Sequence, residues 1–273
     1  MKDLLTPTAV QQALHTRWIG RTYEYLPRVS STNDLLKSRV VVGGADEPPA
    51  GTVLLADYQE NGRGRMARRW QAPPGTSLLF SVLLRPQWPA ERMALLPLLA
   101  GLAVAEGVEE AARLPVRLKW PNDLVAKVDC AWRKFSGVLL EAGFAGPDQP
   151  AYAILGIGVN VNIPADQLPD TSFPATSLMI AAGQALSRLD LLTAILGRME
   201  RLVEAVEQGW SPQAEWNERL IMRGEMVTVS RLGQEGDLAG IFEGTDEQGR
   251  LLLRDENGRG HIITAADVSL RPH

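Results

Sequence analysis

Near Arg223 the chain changes its hydrophobic period, and this limits the folds open to it more than any other feature. Before that point, Leu189 to Gly209 carries apolar residues at helical spacing, and a second helical piece runs around Pro212 to Ile221. After it, short β-type runs (MVTVSRL, GDLAGIFEGTDEQG, RLLLRD, HIIT) alternate with Gln-Gly and Asn-Gly turn pairs. The pattern predicts two parts: a large domain over residues 1–222 and a small antiparallel barrel of about five strands over 223–273.

The large part mixes strands with helices. Thr8 to Thr16 reads as a short helix and Tyr23 to Val29 as a strand. Ser30-Ser31-Thr32-Asn33-Asp34 then makes a strand-to-helix turn, since Ser and Thr favour N-cap positions; Leu35-Leu36 begins the helical run and Val40 to Pro49 reads as a loop. Thr52 to Tyr58 and Ser77 to Leu84 are buried-strand runs, and Val116 to Lys119 is a shorter one. Phe135 to Ala142 and Tyr152 to Val161 form a strand pair around a loop centred on Pro147. Met93 to Arg113 is a long apolar helix, but Pro97, Gly101 and Glu106 interrupt it, so it reads as a core helix and not a membrane span.

Several classes drop out. A net charge of −4 argues against duplex DNA as the main partner, because phosphate contacts need clustered Lys and Arg. The single cysteine, Cys130, allows no internal disulfide; with no signal peptide at the N-terminus, a soluble cytoplasmic protein is expected. Three scattered histidines (His15, His261, His273) give no zinc spacing, and neither a P-loop nor a G-x-S-x-G elbow occurs.

Four segments carry chemistry. Gly62-Arg63-Gly64-Arg65 joins glycines, whose backbone N–H groups can turn toward an anion, to two permanently charged forks. Gly62-x-Gly64-x-x-Ala67 formally fits a dinucleotide fingerprint, but Trp70-Gln71-Ala72-Pro73-Pro74-Gly75 prevents the helix that fingerprint requires; a solvated basic loop is the plainer alternative. Lys119-Trp120-Pro121-Asn122-Asp123 ends a strand, where Asp123 can serve a magnesium ion or simply make an Asx turn. In Lys134-Phe135-Ser136-Gly137-Val138-Leu139-Leu140-Glu141, Lys134 is a phosphate point charge or an ordinary surface lysine, and Gly137 marks a place of close approach. In Gly156-Ile157-Gly158-Val159-Asn160-Val161-Asn162, paired glycines inside a strand call for something packed on them, either a flat ring such as adenine or a tight helix contact.

Taken in order, Ser31-Thr32-Asn33, Tyr58-Gln59 with GRGR, KWPND, K-x-x-G-x-L-x-E and GIGVNVN resemble the biotin–protein ligase family from about Tyr25 to the C-terminus. The resemblance implies an α+β fold: a mixed, largely antiparallel sheet flanked by helices, as in class II synthetases, with a C-terminal SH3-like barrel. It implies a two-step reaction with ATP and Mg²⁺ that forms biotinyl-5′-AMP and passes biotin to a lysine of a biotin carboxyl carrier domain of acetyl-CoA carboxylase. Several members of the family form side-by-side homodimers.

By the same resemblance, Ser31, Thr32, Asn33 and Gln59 bind the ureido ring, and Gly62, Arg63, Gly64 and Arg65 form a loop that orders over biotin and the adenylate phosphate. Lys134, which touches both biotin and phosphate, is catalytic together with Arg63 and Arg65; all three also contact ATP, and Gly137 lies against biotin. Arg68, Trp70, Lys119, Asn122, Asn160 and Arg271 serve the nucleotide, and Asp123 the metal. The sequence departs from the family at Met66 and Ala67, where the loop usually has Arg and Gly, and in a slightly long stretch from Val128 to Arg133. About thirty residues precede Ser31, too few for the DNA-binding domain of the bifunctional members, so a ligase without operator binding is expected. The rivals are a lipoate or octanoate ligase, whose usual R-R-x-S-G-G-type segment is missing, and a non-catalytic biotin sensor.

Overall fold

A computed structural model describes residues 5–44, 47–171, 173–231, 237–264 and 268–272. The core of the fold is a seven-stranded sheet in the order β1-β2-β3-β7-β6-β5-β4. Its strands are β1 (Tyr23–Leu26), β2 (Val53–Ala56), β3 (Ser77–Leu84), β4 (Val116–Lys119), β5 (Asp123–Val128), β6 (Ala131–Gly146) and β7 (Gln149–Asn160). Only β1 and β2 run parallel. All other neighbours are antiparallel, which makes the sheet mixed and largely antiparallel as expected.

Helices cover both faces. On one side α3 (Leu95–Ala112) and α5 (Arg188–Glu207) bury their apolar stripes against the sheet and each other. Each fully buried Leu or Ile there contributes about 1.5–3 kcal/mol. Gly107 permits the close crossing, since a Cβ would stand 2.8 Å from the backbone nitrogen of Ile195. On the other side lies α2 (Thr32–Val42), with Leu36 and Val40 packed among Leu54, Leu83 and Ile154. This helix is longer than the sequence reading at both ends. Ser31 Oγ accepts the Asp34 N–H at 3.3 Å and starts the helix at Thr32, while burial of Leu36 and Val40 carries it to Val42. The helices α1 (Pro7–Ala13), α4 (Leu178–Ala182) and α6 (Gln213–Arg219) complete this part; α4 is too short to show a period and was not foreseen.

Strand β5 was also not foreseen, because Asp123 and Lys127 break its apolar run. A two-residue turn joins it to β6, with Asp129 (φ 48°) and Cys130 (φ 64°) both left-handed. The pair β6–β7 extends well past the expected ends, to a tight turn at Pro147-Asp148 in place of a loop. The C-terminal strands β8 (Met226–Arg231), β9 (Leu238–Thr245), β10 (Leu251–Arg254), β11 (Gly260–Ile263) and β12 (Val268–Pro272) form a five-stranded antiparallel sheet ordered β11-β10-β9-β8-β12. Among the described residues this ladder is open, with no pairing between β11 and β12, so the expected barrel is observed as a sheet. Val227, Val229, Phe242, Leu251 and Leu253 join the same apolar core as the large sheet, and buried Trp120 Nε1 donates to Gly249 O at 3.1 Å.

Candidate active site

Strand register builds the floor of a cleft on the α2 side. Gly156 pairs with Ser81 of β3 and Leu139 of β6; Gly158 pairs with Leu79 and Gly137. Two-residue alternation puts both glycines on one face. A Cβ at Gly156 would meet Asn33 Oδ1 at 2.5 Å, and one at Gly158 would collide with the Trp70 indole, 2.8 Å from its Cζ2 and Nε1. The flat ring against Gly158 is therefore the protein's own tryptophan, and Gly156 holds an amide; neither glycine is open to adenine in this structure.

Above this floor is a cavity of about 440 Å³, within the usual range for small-molecule sites. It brings together Ser31, Thr32, Asn33, Gln59, Arg63, Gly64, Arg65, Arg68, Trp70, Lys119, Asn122, Asp123, Lys134, Gly137 and Asn160. Gly62 is not in its lining: its carbonyl accepts the Trp70 N–H at 2.9 Å. Arg271 pairs with Thr228 in the β12–β8 ladder, but its side chain, and with it the nucleotide contact expected of it, lies outside the described residues.

One end of the cavity is hydrogen-bonded, with its charges paired among Arg63, Glu141 and Asp34. The Thr32 N–H donates to Gln59 Oε1 at 2.8 Å. Ser81 Oγ lies 2.6 Å from Thr32 Oγ1 and 2.5 Å from Asn33 Oδ1. Asn33 Nδ2 donates to Glu141 Oε2 at 2.8 Å, and Arg63 pairs with both Glu141 (2.5 Å) and Asp34 (2.6 Å).

The other end is cationic. Residues 62–70 form a hairpin in which Gly64 N–H donates to Arg68 O (2.7 Å) and Arg68 N–H to Arg65 O (3.2 Å). The Gly64 N–H is thus spent within the loop and is not turned toward an anion as the glycine pattern implied. The tip residues Met66 (φ 57°) and Ala67 (φ 56°) are both left-handed, where Gly and Asn are preferred. Arg65 donates to Asn122 Oδ1 at 3.2 Å, and Asn122 Nδ2 is held by Val138 O at 2.8 Å. Lys134 Nζ pairs with Asp123 at 2.6 Å and sits 5.5 Å from the Trp70 ring centroid. Lys119 is buried, its ammonium 5.0 Å from the Phe173 ring centroid. Burial, more than anything, pulls its pKa below the ordinary lysine value; Asp123 opposes this, and Lys134, Arg68 and Arg65 add to it. Two buried polar atoms here lack partners: Trp70 Nε1 and Asn160 Oδ1, the latter on an amide whose Nδ2 donates to Thr176 O at 3.1 Å. Among the described residues no cluster of three or more His, Cys, Asp or Glu side chains could hold a metal; Asp123 and Asp170 are the acids in the lining.

Sequence reasoning missed Ser81 and gave no role to Glu141, the two partners of Asn33, and it missed the wall formed by Pro169, Asp170, Thr171, Phe173 and Ala175. Backbone bonds from Lys134 N–H to Pro174 O and from Thr176 N–H to Lys134 O, both 2.8 Å, fasten that wall to β6.

A polar recess with its charges paired, opening into a cationic chamber on a mixed sheet, suits a ligase that joins an acid to a nucleotide. The chain belongs to the biotin/lipoate A/B protein ligase family, whose model matches residues 25–160. The biotin protein ligase C-terminal domain model matches residues 224–271. The chain is 33% identical to the biotin–[acetyl-CoA-carboxylase] ligase of Mycobacterium tuberculosis, over 98% of this chain and 97% of that protein. It is also 33% identical to the bifunctional ligase/repressor BirA of Bacillus subtilis, over 97% of this chain and 79% of that protein. Among solved structures, the biotin protein ligase from Aquifex aeolicus in complex with biotin and ATP matches with a TM-score of 0.74 at 31% identity, covering 93% of this chain and 100% of that one.

Proposed function

We propose that the protein forms biotinyl-5′-AMP from biotin and ATP and transfers the biotinyl group to a lysine of a biotin carboxyl carrier domain, that of acetyl-CoA carboxylase by analogy with the named relatives. The observation that carries this reading is the joining, in one cavity, of a hydrogen-bonding recess, whose Arg63 charge is paired with Glu141 and Asp34, to a chamber containing Arg65, Arg68, Lys119 and Lys134. A neutral urea suits the first and a triphosphate the second.

In the first step a biotin carboxylate oxygen attacks the α-phosphorus of ATP, the α–β bridging P–O bond breaks, and pyrophosphate leaves. Arg63, Arg65 and Lys134 are assigned the work of holding two mutually repelling anions within bonding distance. In the second step a neutral lysine amine attacks the anhydride carbonyl, the carbon–oxygen bond to AMP breaks, and the amine gives up a proton. Thr32, Asn33 and Gln59 are assigned to the ureido ring, with Ser31 shaping the turn that presents them. Arg68, Trp70, Lys119, Asn122 and Asn160 are assigned to the nucleotide; the unpartnered Asn160 Oδ1 suits an exocyclic amine. Magnesium, which keeps waters and phosphate oxygens as ligands, needs no more protein than the single carboxylate of Asp123, and when bound it would neutralise phosphate charge.

We place the domain boundary between residues 222 and 223. No described helix is long and apolar enough to cross a membrane, and an exposed free cysteine, Cys130, fits the reducing cytoplasm to which we assign the protein. The acidic balance supports a ligase acting without DNA, and sedimentation with and without biotin and ATP tests for a homodimer. The function is tested by acid-dependent ATP–pyrophosphate exchange. Exchange with biotin, but not with lipoate or octanoate, is expected. Exchange with lipoate would move the protein to the sister activity, and no exchange with any acid would favour a sensor.

A further inference from the structure

Thr32 and Asn33 of the recess, with Ser81 and Glu141 beside them, form one hydrogen-bond chain, and counting protons fixes its direction. Ion-paired with Arg63, the Glu141 carboxylate can only accept. With Asn33 Nδ2 at 2.8 Å and Arg63 Nη2 at 2.5 Å, it requires Asn33 to present its NH₂ group and to turn Oδ1 away. That Oδ1 is 2.5 Å from Ser81 Oγ, whose single proton must therefore go to it. Ser81 can then only accept from Thr32 Oγ1, 2.6 Å away, and this consumes the one proton Thr32 has. The 3.1 Å approach of Thr32 Oγ1 to Gln59 Oε1 is left without a proton, and Gln59 Oε1 is satisfied by the Thr32 N–H instead. Ser81 is fully buried and Thr32 and Asn33 nearly so, which keeps solvent from resetting the order.

We infer that Glu141 and Ser81 are positioning residues that polarise the chain Thr32→Ser81→Asn33→Glu141, leaving Thr32 Oγ1 as an acceptor-only group that selects substrates presenting an N–H. The inference rests on the biotin reading, in which a ureido N–H is that donor. It assigns the discrimination against acids without a urea to two residues that need not touch the substrate. Arg63 closes the hairpin loop onto the same carboxylate, so loop and recess share one anchor.

The test uses pyrophosphate exchange with biotin and with the two carbamate analogues in which a ring oxygen replaces one or the other ureido N–H. In the unaltered protein one carbamate is expected to show a KM about a hundredfold above that of biotin, because two acceptors face each other. In Ser81→Ala, Thr32 regains a proton to donate, so the KM for biotin rises while the carbamate penalty falls to about tenfold or less. Glu141→Gln frees Asn33 to turn over and narrows the same ratio by a second route. Equal acceptance of both carbamates and biotin by the unaltered protein would overturn the inference. So would variants that raise the KM for biotin and carbamate by one common factor, which is what mere loosening of the recess would do. Absence of any biotin-dependent exchange in the unaltered protein would instead overturn the biotin reading itself.

Discussion

Gly156 and Gly158 stand two residues apart on one face of β7, yet they serve opposite ends of the cleft. Gly156 makes room for Asn33, whose amide is fixed by Ser81 and Glu141. Gly158 makes room for Trp70, whose Nε1 is buried without a partner and whose ring lies beneath Lys134. The first end is satisfied internally before any ligand arrives. The second keeps Arg65, Arg68, Lys119 and Lys134 near one another, with Asp123 the main counter-charge and orphaned polar atoms beside them. A recess that reads shape and hydrogen bonds gains from being preset, whereas a chamber for phosphates can carry unfavourable electrostatics that its anion relieves.

The sharpest way to break this contrast is Lys134→Ala. It removes a phosphate cation and leaves Asp123 without its 2.6 Å partner, so repulsion toward the anion adds to the loss. We expect pyrophosphate exchange to fall by about a hundred- to a thousandfold, with biotin binding measured by calorimetry much less affected. Unchanged exchange would remove Lys134 from the chemistry. Next in size is the glycine pair. Gly156→Ala presses on Asn33, and we expect the KM for biotin to rise roughly ten- to a hundredfold with that for ATP little changed. Gly158→Ala displaces the indole, and the KM for ATP should take the larger effect. Two variants that shift the same constant would show that the two ends are one site.

The contrast also separates what could be read from the sequence from what could not. GRGR, KWPND and Lys134 were legible because glycine pairs, an X-Pro step and charges beside apolar runs are local signals. Ser81 was not: in the run SLLFSVLL it is one polar residue among buried neighbours, and only its register opposite Gly156 brings it beneath Asn33. Glu141 closed a motif without a role, because its partners Asn33 and Arg63 are far away in sequence. The wall from Pro169 to Ala175 has no period at all and is placed by bonds to Lys134. The loop glycines were legible as glycines, but the partner of the Gly64 N–H depends on the hairpin closing at Arg68.

A smaller effect is expected at Lys119, where stability and function should part. Folding lowers its pKa from the ordinary 10.5, so between the lowered value and 10.5 the unfolded chain holds a proton that the folded chain has lost. Stability therefore rises with pH across that window, while affinity for ATP falls as the ammonium is lost. Lys119→Met should melt no lower than the unaltered protein at neutral pH, yet raise the KM for ATP about tenfold. A clear drop in Tm for this variant would show that the buried charge is well compensated and the chamber less strained than its cations imply.

The smallest effect belongs to the loop tip. Met66 and Ala67 both hold left-handed φ values, which cost roughly 1–2 kcal/mol each for a residue with a Cβ. Ala67→Gly removes that penalty at one position but also frees the open loop, so the two contributions partly cancel and the net gain for the closed hairpin is about 1 kcal/mol or less. Because the hairpin carries Arg63 and Arg65, a better-populated closed form should slow escape of the adenylate a few-fold, measured as labelling of bystander lysines without an acceptor domain. An equal or faster leak would mean that the tip conformation is not what limits closure, and that the Arg63–Glu141 and Arg65–Asn122 contacts hold the loop by themselves.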